Sequence, residues 1–280
     1  VNNSVKNQLI YQISDCHLNT EDAQAEHSLI FVLNQIENSR TADDCYQEGE
    51  QDNDILLITG DLVCSPTFEL YVAFKRIIET HCSFKRIFAI AGNHDQRELM
   101  AIAFADSHIQ VTHQLNLGKQ CQLLFVDSSD KPLSGMALGS GRVAQRGLEA
   151  IKKNTRKKPS LVIIHHPIVN LGAEWFQKIG IENHLAVRRA IHPQSIAVVS
   201  GHAHGYFKHA LTPNRLTENE PDQTQLHQIV CPATCYGFDH KQADYKRTST
   251  IGYIEYHLSQ VDREPKLEHA VHQFNAESCI

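Results

Sequence analysis

The sequence of 280 residues contains no uninterrupted apolar run long enough to cross a bilayer. Its first fourteen residues, VNNSVKNQLIYQIS, also lack the apolar core of a secretion signal. Together these absences argue against a helical membrane anchor and against export. We therefore predict a soluble intracellular protein with no membrane partner.

Closely spaced cysteine pairs are missing too. Eight cysteines are scattered along the chain without a Cys-x-x-Cys motif. The nearest two, Cys231 and Cys235, have no second ligand pair that would complete a zinc knuckle. This spacing argues against a disulfide framework and predicts a location in the reducing cytoplasm.

The chain also lacks an excess of positive charge. The formal net charge is −6, from 26 Lys and Arg against 32 Asp and Glu, whereas proteins that hold extended nucleic acid need a positive field. The strongest basic run, residues 152–158, follows a predicted helix and contains no aromatic residue for base stacking, so we interpret it as a solvated helix end. We expect no nucleic-acid partner. A small anionic substrate is compatible with the net charge, because bound metal ions would dominate the local field.

The chain does contain an alternation of short apolar runs with longer amphipathic segments, which is the pattern of an α/β protein. Residues 25–40, 68–81 and 141–154 place apolar side chains on one helical face. Strands are predicted at residues 9–13, 55–58, 87–91, 122–126, 161–164, 196–199, 227–231, 252–257 and 266–271. We interpret residues 1–280 as a single domain in which the polar segments 41–54 and 212–225 are exposed loops.

Five polar clusters follow directly after five of these strands. They are Asp15-Cys16-His17, Gly60-Asp61, Gly92-Asn93-His94-Asp95, His165-His166-Pro167 and Gly201-His202-Ala203-His204. Because open α/β sheets gather their binding groups at the carboxyl ends of strands, we expect the clusters to converge. Carboxylate oxygens, an amide oxygen and several imidazoles are what two adjacent transition-metal ions need when they bind a phosphoryl group. The donor set predicts a dinuclear metal hydrolase.

Each cluster alone also has a plainer interpretation. Asp15 and His17 share one face of a strand end, but they could belong to an ordinary turn. Asp61 could cap the next helix, and among 18 histidines adjacent pairs can arise by chance. The cluster around Asn93 is more specific, since it combines an amide oxygen, an imidazole and a carboxylate. The five clusters in this order favour a metal site over coincidence.

The ordered set D-x-H, G-D, G-N-H-D, H-H-P and G-H-x-H spans residues 10–205 and resembles the calcineurin-like metallophosphoesterase family. Within that family, the opening IYQISDCHL and the late CPATCYGF are similar to the bacterial class III cyclic nucleotide phosphodiesterases. Cys16 departs from this pattern, because these relatives often carry Thr at that position. The departure matters little if, as expected, the Cys16 side chain points away from the metals. The resemblance implies a four-layer α/β/β/α sandwich of two mixed sheets flanked by helices.

The resemblance also implies a role for each cluster. Two divalent or mixed-valence metal ions are expected, Fe or Mn by preference, with Zn or Co also open. Seven residues would hold them: Asp15, His17 and His204 on one ion, Asn93, His165 and His202 on the other, and Asp61 shared by both. A water or hydroxide bridging the ions would attack phosphorus. His94 would contact the phosphate and protonate the leaving oxygen. Asp95 would orient His94 or a metal ligand. His166 would either orient a neighbouring side chain in the same way or face the core.

The implied activity is hydrolysis of 3′,5′-cyclic AMP to 5′-AMP, with a small cyclic nucleotide as the partner. One alternative keeps the metal core but acts on another phosphodiester, such as a glycerophosphodiester or a nucleotide-linked lipid precursor, or on a phosphomonoester. The other alternative is a noncatalytic scaffold of the same fold. The sequence gives no prediction of the oligomeric state, of the base-reading residues or of the metal bound in the cell.

Three further features have two interpretations each. Residues 236–240 could border the site and stack an aromatic ring on a purine, or they could form a surface turn. Trp175 and Phe176 could form a lid or part of the core. Arg97 could neutralise a phosphate oxygen or be a surface charge at a helix start.

Overall fold

The computed structural model describes residues 8–42, 51–211, 226–261 and 264–279. Within these ranges fourteen strands are interspersed with six α-helices. The strands are β1 (Gln8–Ile13), β2 (Ile55–Thr59), β3 (Arg86–Ile90), β4 (Ile109–Gln110), β5 (Gln114–Leu117), β6 (Cys121–Val126), β7 (Ser160–Ile164), β8 (Ala197–Ser200), β9 (Phe207–Ala210), β10 (His227–Val230), β11 (Gly237–Phe238), β12 (Arg247–Thr248), β13 (Thr250–Val261) and β14 (Glu264–Asn275). The helices are α1 (Ala23–Ala42), α2 (Phe68–His81), α3 (Arg97–Ala103), α4 (Gln145–Lys157), α5 (Glu174–Gln177) and α6 (His184–Ala190).

Most of the strands form two mixed sheets of six strands each. The first sheet has the order β14-β13-β1-β2-β3-β4, in which β1 to β4 are parallel and β13 is antiparallel to both of its neighbours. The second has the order β5-β6-β7-β8-β10-β9, with four parallel central strands and an antiparallel strand at each edge. Strands β11 and β12 pair in a small separate sheet.

Apolar side chains fill the space between the sheets and cover both outer faces. The inner layer includes Ile10, Leu57, Phe88, Phe125, Ile163 and Val199. Helices α1, α2 and α3 pack on the first sheet, and α4 and α6 pack on the second. Each fully buried aliphatic side chain contributes about 1.5–3 kcal/mol. The predicted four-layer α/β/β/α sandwich of two mixed sheets is confirmed.

The helix predicted at residues 141–154 begins four residues later than expected, at Gln145, and ends at Lys157. Gly141 and Arg142 instead form bridges to Ile181 and Ser129, because extended backbone here joins two loops beside the sheet edge. The basic run 152–158 forms the last turns of α4 and its C-cap, the helix end that its composition predicts.

The predicted loop 212–225 lies outside the described residues, as does most of the predicted loop 41–54. The described residues of segment 41–54 lie at the end of α1 and in a short 3-10 turn, Gln51–Asn53. None of the helices in the described ranges combines the length and the apolar character that crossing a membrane requires.

A buried polar contact joins the two sheets near the ends of the strands that carry the clusters. The Gln12 side chain is fully buried, and its Nε2 donates to Thr59 Oγ1 at 2.8 Å and to the Ser200 carbonyl at 3.0 Å. Its Oε1 accepts from the Tyr256 hydroxyl at 2.7 Å. Because Gln12 and Ser200 lie in different sheets, this one amide fixes the spacing of the sheets just before Asp15 and His202.

Replacing Gln12 with Ala should lower the free energy of unfolding by about 2–4 kcal/mol, because the buried Tyr256 hydroxyl loses its acceptor and a cavity opens. Urea unfolding measures the change. The matched control is Gln145→Ala, because the exposed Gln145 side chain bonds to Glu149 on the helix surface. There a change within about 0.5 kcal/mol is expected. If both variants were as stable as the parent protein, the Gln12 contact would not hold the sheets together.

Candidate metal centre

The five clusters converge at the edge formed by the carboxyl ends of β1, β2, β3, β7 and β8. Backbone hydrogen bonds align the first two cluster loops: Asp15 N donates to the Gly60 carbonyl and His17 N to the Asp61 carbonyl, both at 3.0 Å. Across the sheets, the backbone amide of His202 donates to Asp15 Oδ2 at 2.9 Å. The parallel strands therefore bring residues almost 190 positions apart into direct contact.

Left-handed backbone conformations are concentrated in these loops. Among the described residues, the non-glycine positions with positive φ are Asp15 (53°), His17 (46°), Asp61 (54°), His202 (68°) and His204 (47°). All of them are predicted metal ligands. Because such a conformation costs of order 1–3 kcal/mol per residue, it persists only where the surrounding structure imposes it, and it clusters at functional sites.

Two glycines let the loops approach one another. A Cβ atom at Gly92 would overlap the Asp61 carboxylate, and one at Gly60, whose φ is +96°, would overlap the His165 ring. The sequence therefore needs glycine before Asp61 and before Asn93 so that two ligand loops can pack without a side chain between them.

The carboxylate of Asp61 lies between the two predicted ligand sets. Its Oδ2 is 3.6 Å from His17 Nε2 and 3.4 Å from His165 Nε2, and its Oδ1 accepts from the His94 backbone amide at 2.9 Å. Burial alone would raise the pKa of Asp61, but the adjacent His165 holds it well below its usual range. Burial opposes protonation of His165 as well, yet Asp61 raises the pKa of that imidazole to about 9.

Carbonyl groups fix which nitrogen of each histidine faces the centre. His165 Nδ1 donates to the Thr59 carbonyl at 2.7 Å, and His204 Nδ1 donates to the Tyr236 carbonyl at 2.8 Å. Because a carbonyl only accepts, both Nδ1 atoms carry the hydrogen, so Nε2 of each ring faces the centre. His204 Nε2 presents a lone pair there, and His165 Nε2 does so once a metal ion replaces the proton that Asp61 stabilises. His204 Nε2 lies 3.2 Å from His17 Nε2.

His202 has the opposite orientation. Its Nε2 donates to the Ile179 carbonyl at 2.9 Å, which leaves Nδ1 as the nitrogen with a lone pair. Asn93 adds an oxygen donor, since its Oδ1 lies 3.2 Å from His165 Nε2. Burial lowers the pKa of both His202 and His204 well below the usual range, so these rings are neutral and able to act as ligands.

Asp15 shows that the arrangement fits cations. Its carboxylate is fully buried, and none of the described residues donates a hydrogen bond to Oδ1, which lies 3.5 Å from His204 Nε2. Burial raises the pKa of Asp15 to about 7. A buried carboxylate oxygen with no donor is costly, and a metal ion at this position would supply the missing charge.

The donor atoms are close enough to hold metal ions. Four overlapping groups have potential ligand atoms within 4.8 Å of one another: Asp15, Asp61 and His165; His17, Asp61 and His94; His17, His204 and Cys235; and His165, His166 and His202. With Asn93 beside His165, the seven predicted ligands are all brought together. Carboxylate, amide and imidazole donors suit Mn, Fe, Zn or Co.

His94 lies at the exposed rim of this centre. Its ring stands edge-on to His17 with centroids 4.8 Å apart, and its Nδ1 donates to the Cys64 carbonyl at 2.9 Å. The bond to Cys64 fixes the orientation of the ring and leaves Nε2 as the nitrogen available for other contacts.

Asp95 contacts the backbone rather than the His94 ring. Its carboxylate accepts from the amides of Gly92 at 2.9 Å and Leu62 at 3.2 Å, and from the Tyr71 hydroxyl at 3.2 Å. Burial raises the pKa of Asp95 to about 6. In this position Asp95 ties together the loops that carry Asp61 and Asn93.

Both ring nitrogens of His166 are used elsewhere. Nδ1 accepts from the Ser128 hydroxyl at 2.9 Å, and Nε2 donates to the Gly139 carbonyl at 3.1 Å. Burial lowers the pKa of His166 to about 3. His166 therefore anchors the loop after β6 beside the centre instead of facing a metal.

The thiols near the centre are not thiolates. Cys16 is fully buried in the apolar cluster that packs on the first sheet, and burial raises the pKa of its thiol. Cys235 was not predicted from the sequence, although its Sγ lies 4.0 Å from His204 Nδ1. Burial raises the pKa of the Cys235 thiol well above its usual value, so the neutral group packs against the ligand.

The structure shows where the three features with two interpretations lie: residues 236–240, the pair Trp175 and Phe176, and Arg97. The Tyr236 ring lies 4.7 Å from the His204 ring, so residues 236–240 do border the centre. Phe176 is buried in an apolar cluster, and Trp175 stacks on His240 with ring centroids 5.7 Å apart. Arg97 donates to His113 at 3.0 Å. Sequence reasoning missed Arg247, whose guanidinium lies over the Tyr236 ring, because nothing in the polar stretch around it marks a site.

Comparison with known proteins agrees with this geometry. A family model described as calcineurin-like phosphoesterase matches residues 9–206. A protein from Haemophilus influenzae named 3′,5′-cyclic adenosine monophosphate phosphodiesterase CpdA is 28% identical over 82% of this chain and 77% of its own length. The protein of the same name from Pseudomonas aeruginosa is 26% identical, with 91% of this chain and 90% of that one covered.

Solved structures show the same fold at low identity. A dimetal phosphatase from Danio rerio superposes with a TM-score of 0.58 at 10% identity, covering 96% of this chain and 99% of that one. The structure of PhoD superposes with a TM-score of 0.61 at 8% identity, covering 97% and 70% respectively.

Replacing Asp61 with Ala should abolish binding at both metal positions, because its carboxylate is the group between the His17 and His165 sets. The number of ions per chain after manganese or zinc loading, measured by inductively coupled plasma mass spectrometry, checks this. Asp127→Ala is the control and should leave the metal content unchanged, since this strand-end carboxylate is hydrogen-bonded to Ser129. Retention of two ions by the Asp61 variant would contradict a shared role.

Proposed function

The chain belongs to the calcineurin-like phosphoesterase family and is a metal-dependent phosphodiester hydrolase, and we propose that it hydrolyses 3′,5′-cyclic AMP to 5′-AMP at a dinuclear centre. The observation that carries the proposal is the position of Asp61 between the His17 and His165 sets, with His94 at the open edge. The names of the Haemophilus and Pseudomonas relatives support the substrate.

In the proposed site, Asp15, His17 and His204 would hold one ion, Asn93, His165 and His202 would hold the other, and Asp61 would be shared. Fe or Mn would occupy these positions, with Zn or Co as the alternatives. When bound, such ions lower the pKa of a water molecule and neutralise charge on the phosphoryl group. The carbonyl contacts of His165, His202 and His204 keep the ligand nitrogens in their orientation.

His94 supplies the proton that the leaving group needs. Hydrolysis breaks the bond between phosphorus and O3′, and that oxygen must gain a proton as it departs. In the imidazolium form of His94, Nδ1 stays bonded to the Cys64 carbonyl and Nε2 donates its proton to O3′. Asp95 contributes indirectly, through the backbone of the loops that carry Asp61 and Asn93.

A second candidate keeps the same residues but changes the substrate to another phosphodiester or to a phosphomonoester. The metal centre provides attack and charge neutralisation without choosing the groups attached to phosphorus. The third candidate, a noncatalytic scaffold, is disfavoured because the complete ligand set and His94 are present in one place. A cytoplasmic location, expected from the cysteine pattern, is part of the proposal.

The substrate is tested by incubating protein loaded with manganese or iron with cyclic AMP, cyclic GMP, glycerophosphodiesters and phosphomonoesters. We expect 5′-AMP to form from cyclic AMP at the highest kcat/KM. His94→Ala should retain its metals but lower kcat by ~10²–10⁴-fold, since one proton-transfer group is lost. The control is His27→Ala, at an exposed position on α1, which should keep the parent rate.

The result that would reject cyclic AMP is a preference of several orders of magnitude for another phosphoester. A fully metal-loaded protein without activity towards any of these compounds would instead support the scaffold.

A further inference from the structure

Arg247 is a fixed positive charge at the rim of the metal centre. Its guanidinium carbon lies 3.9 Å from the centroid of the Tyr236 ring, and its Nε donates to the Tyr245 hydroxyl at 2.6 Å. An exposed arginine without partners samples many conformations, whereas stacking and a hydrogen bond hold this one in place.

The Tyr236 ring connects Arg247 to the ligands. Its centroid is 4.7 Å from the ring of His204 and 6.0 Å from that of His17, on which it stacks. Only one aromatic ring therefore separates the guanidinium from two predicted metal ligands. Phe238 stacks on His204 with centroids 4.2 Å apart and contacts Tyr245, so the small β11–β12 sheet packs on the same side of the centre.

The guanidinium has no carboxylate partner. Arg40 and Arg142 pair with carboxylates at 3.1 Å and 2.8 Å, but no carboxylate of residues 8–42, 51–211, 226–261 or 264–279 forms an ion pair with Arg247 within 4.0 Å. Its terminal nitrogens therefore keep their donors available, in the planar arrangement that matches phosphate oxygens. Arg97, for which the sequence left a phosphate contact and a surface charge equally open, is bonded to His113.

We propose that Arg247 is a substrate-binding residue whose guanidinium pairs with a phosphoryl oxygen of the phosphodiester at the metal centre. This assignment rests on the proposed function in one respect: the substrate must carry a phosphoryl group. It does not depend on which groups are attached to phosphorus. Tyr236 and Tyr245 are positioning residues for Arg247, because they hold the guanidinium by stacking and by the hydrogen bond to Nε.

The test is binding of inorganic phosphate to the full chain loaded with manganese, measured by isothermal titration calorimetry. Arg247→Gln should weaken phosphate binding by about 10- to 100-fold, as expected for one charge-assisted hydrogen bond. Arg247→Lys should recover part of the loss, because it restores the charge but not the planar donors. The control is Arg156→Gln, an exposed position at the end of α4 that precedes β7 and so lies at the opposite edge of the sheet.

Kinetics give a second readout. With cyclic AMP and with bis(p-nitrophenyl) phosphate, Arg247→Gln should lower kcat/KM by a similar factor while the metal content stays at the parent level. The proposal would be overturned if Arg247→Gln bound phosphate within twofold of the parent affinity. It would also be overturned if Arg247→Gln lost manganese, because that would show that Arg247 supports the metal ligands instead. A parent protein that binds phosphate through Arg247 but leaves cyclic AMP intact would overturn the substrate assignment alone.

Discussion

The interaction on which the rest of the structure depends is the contact of one buried carboxylate, Asp61, with imidazoles from both sheets. His17 comes from the loop after β1 and His165 from the loop after β7, so Asp61 can contact both only while the two sheets keep their spacing. Gln12 sets that spacing from within the core. Packing between the sheets therefore determines the geometry of the site.

The centre is electrostatically unfavourable without cations and favourable with them. Burial keeps His202 and His204 neutral, and Asp15 has a buried oxygen with no donor. Five predicted ligands adopt left-handed backbone conformations, at a cost of order 1–3 kcal/mol each. The apolar layers of the sandwich offset this strain, and bound ions would add the stabilisation that the loops lack.

Much of this could be predicted from the sequence, because the ligands follow apolar runs that form parallel strands, and parallel strands bring their carboxyl ends together. Other features depend on tertiary contacts that no local pattern encodes. The backbone partners of Asp95 belong to distant loops, and the packing of Tyr236 on two ligands requires the β11–β12 sheet. Helix α4 begins late because Gly141 and Arg142 pair with other loops, and β14 extends beyond the predicted residues 266–271 because it pairs with β13 from Glu264 to Asn275.

The most direct measurement of the central claim is X-ray absorption spectroscopy at the manganese edge of the fully loaded protein. Two ions per chain that share Asp61 should give metal backscattering at about 3.5–4 Å, together with oxygen and nitrogen ligands. A spectrum without metal backscattering from protein that binds a single ion would contradict a shared carboxylate and the dinuclear centre built around it.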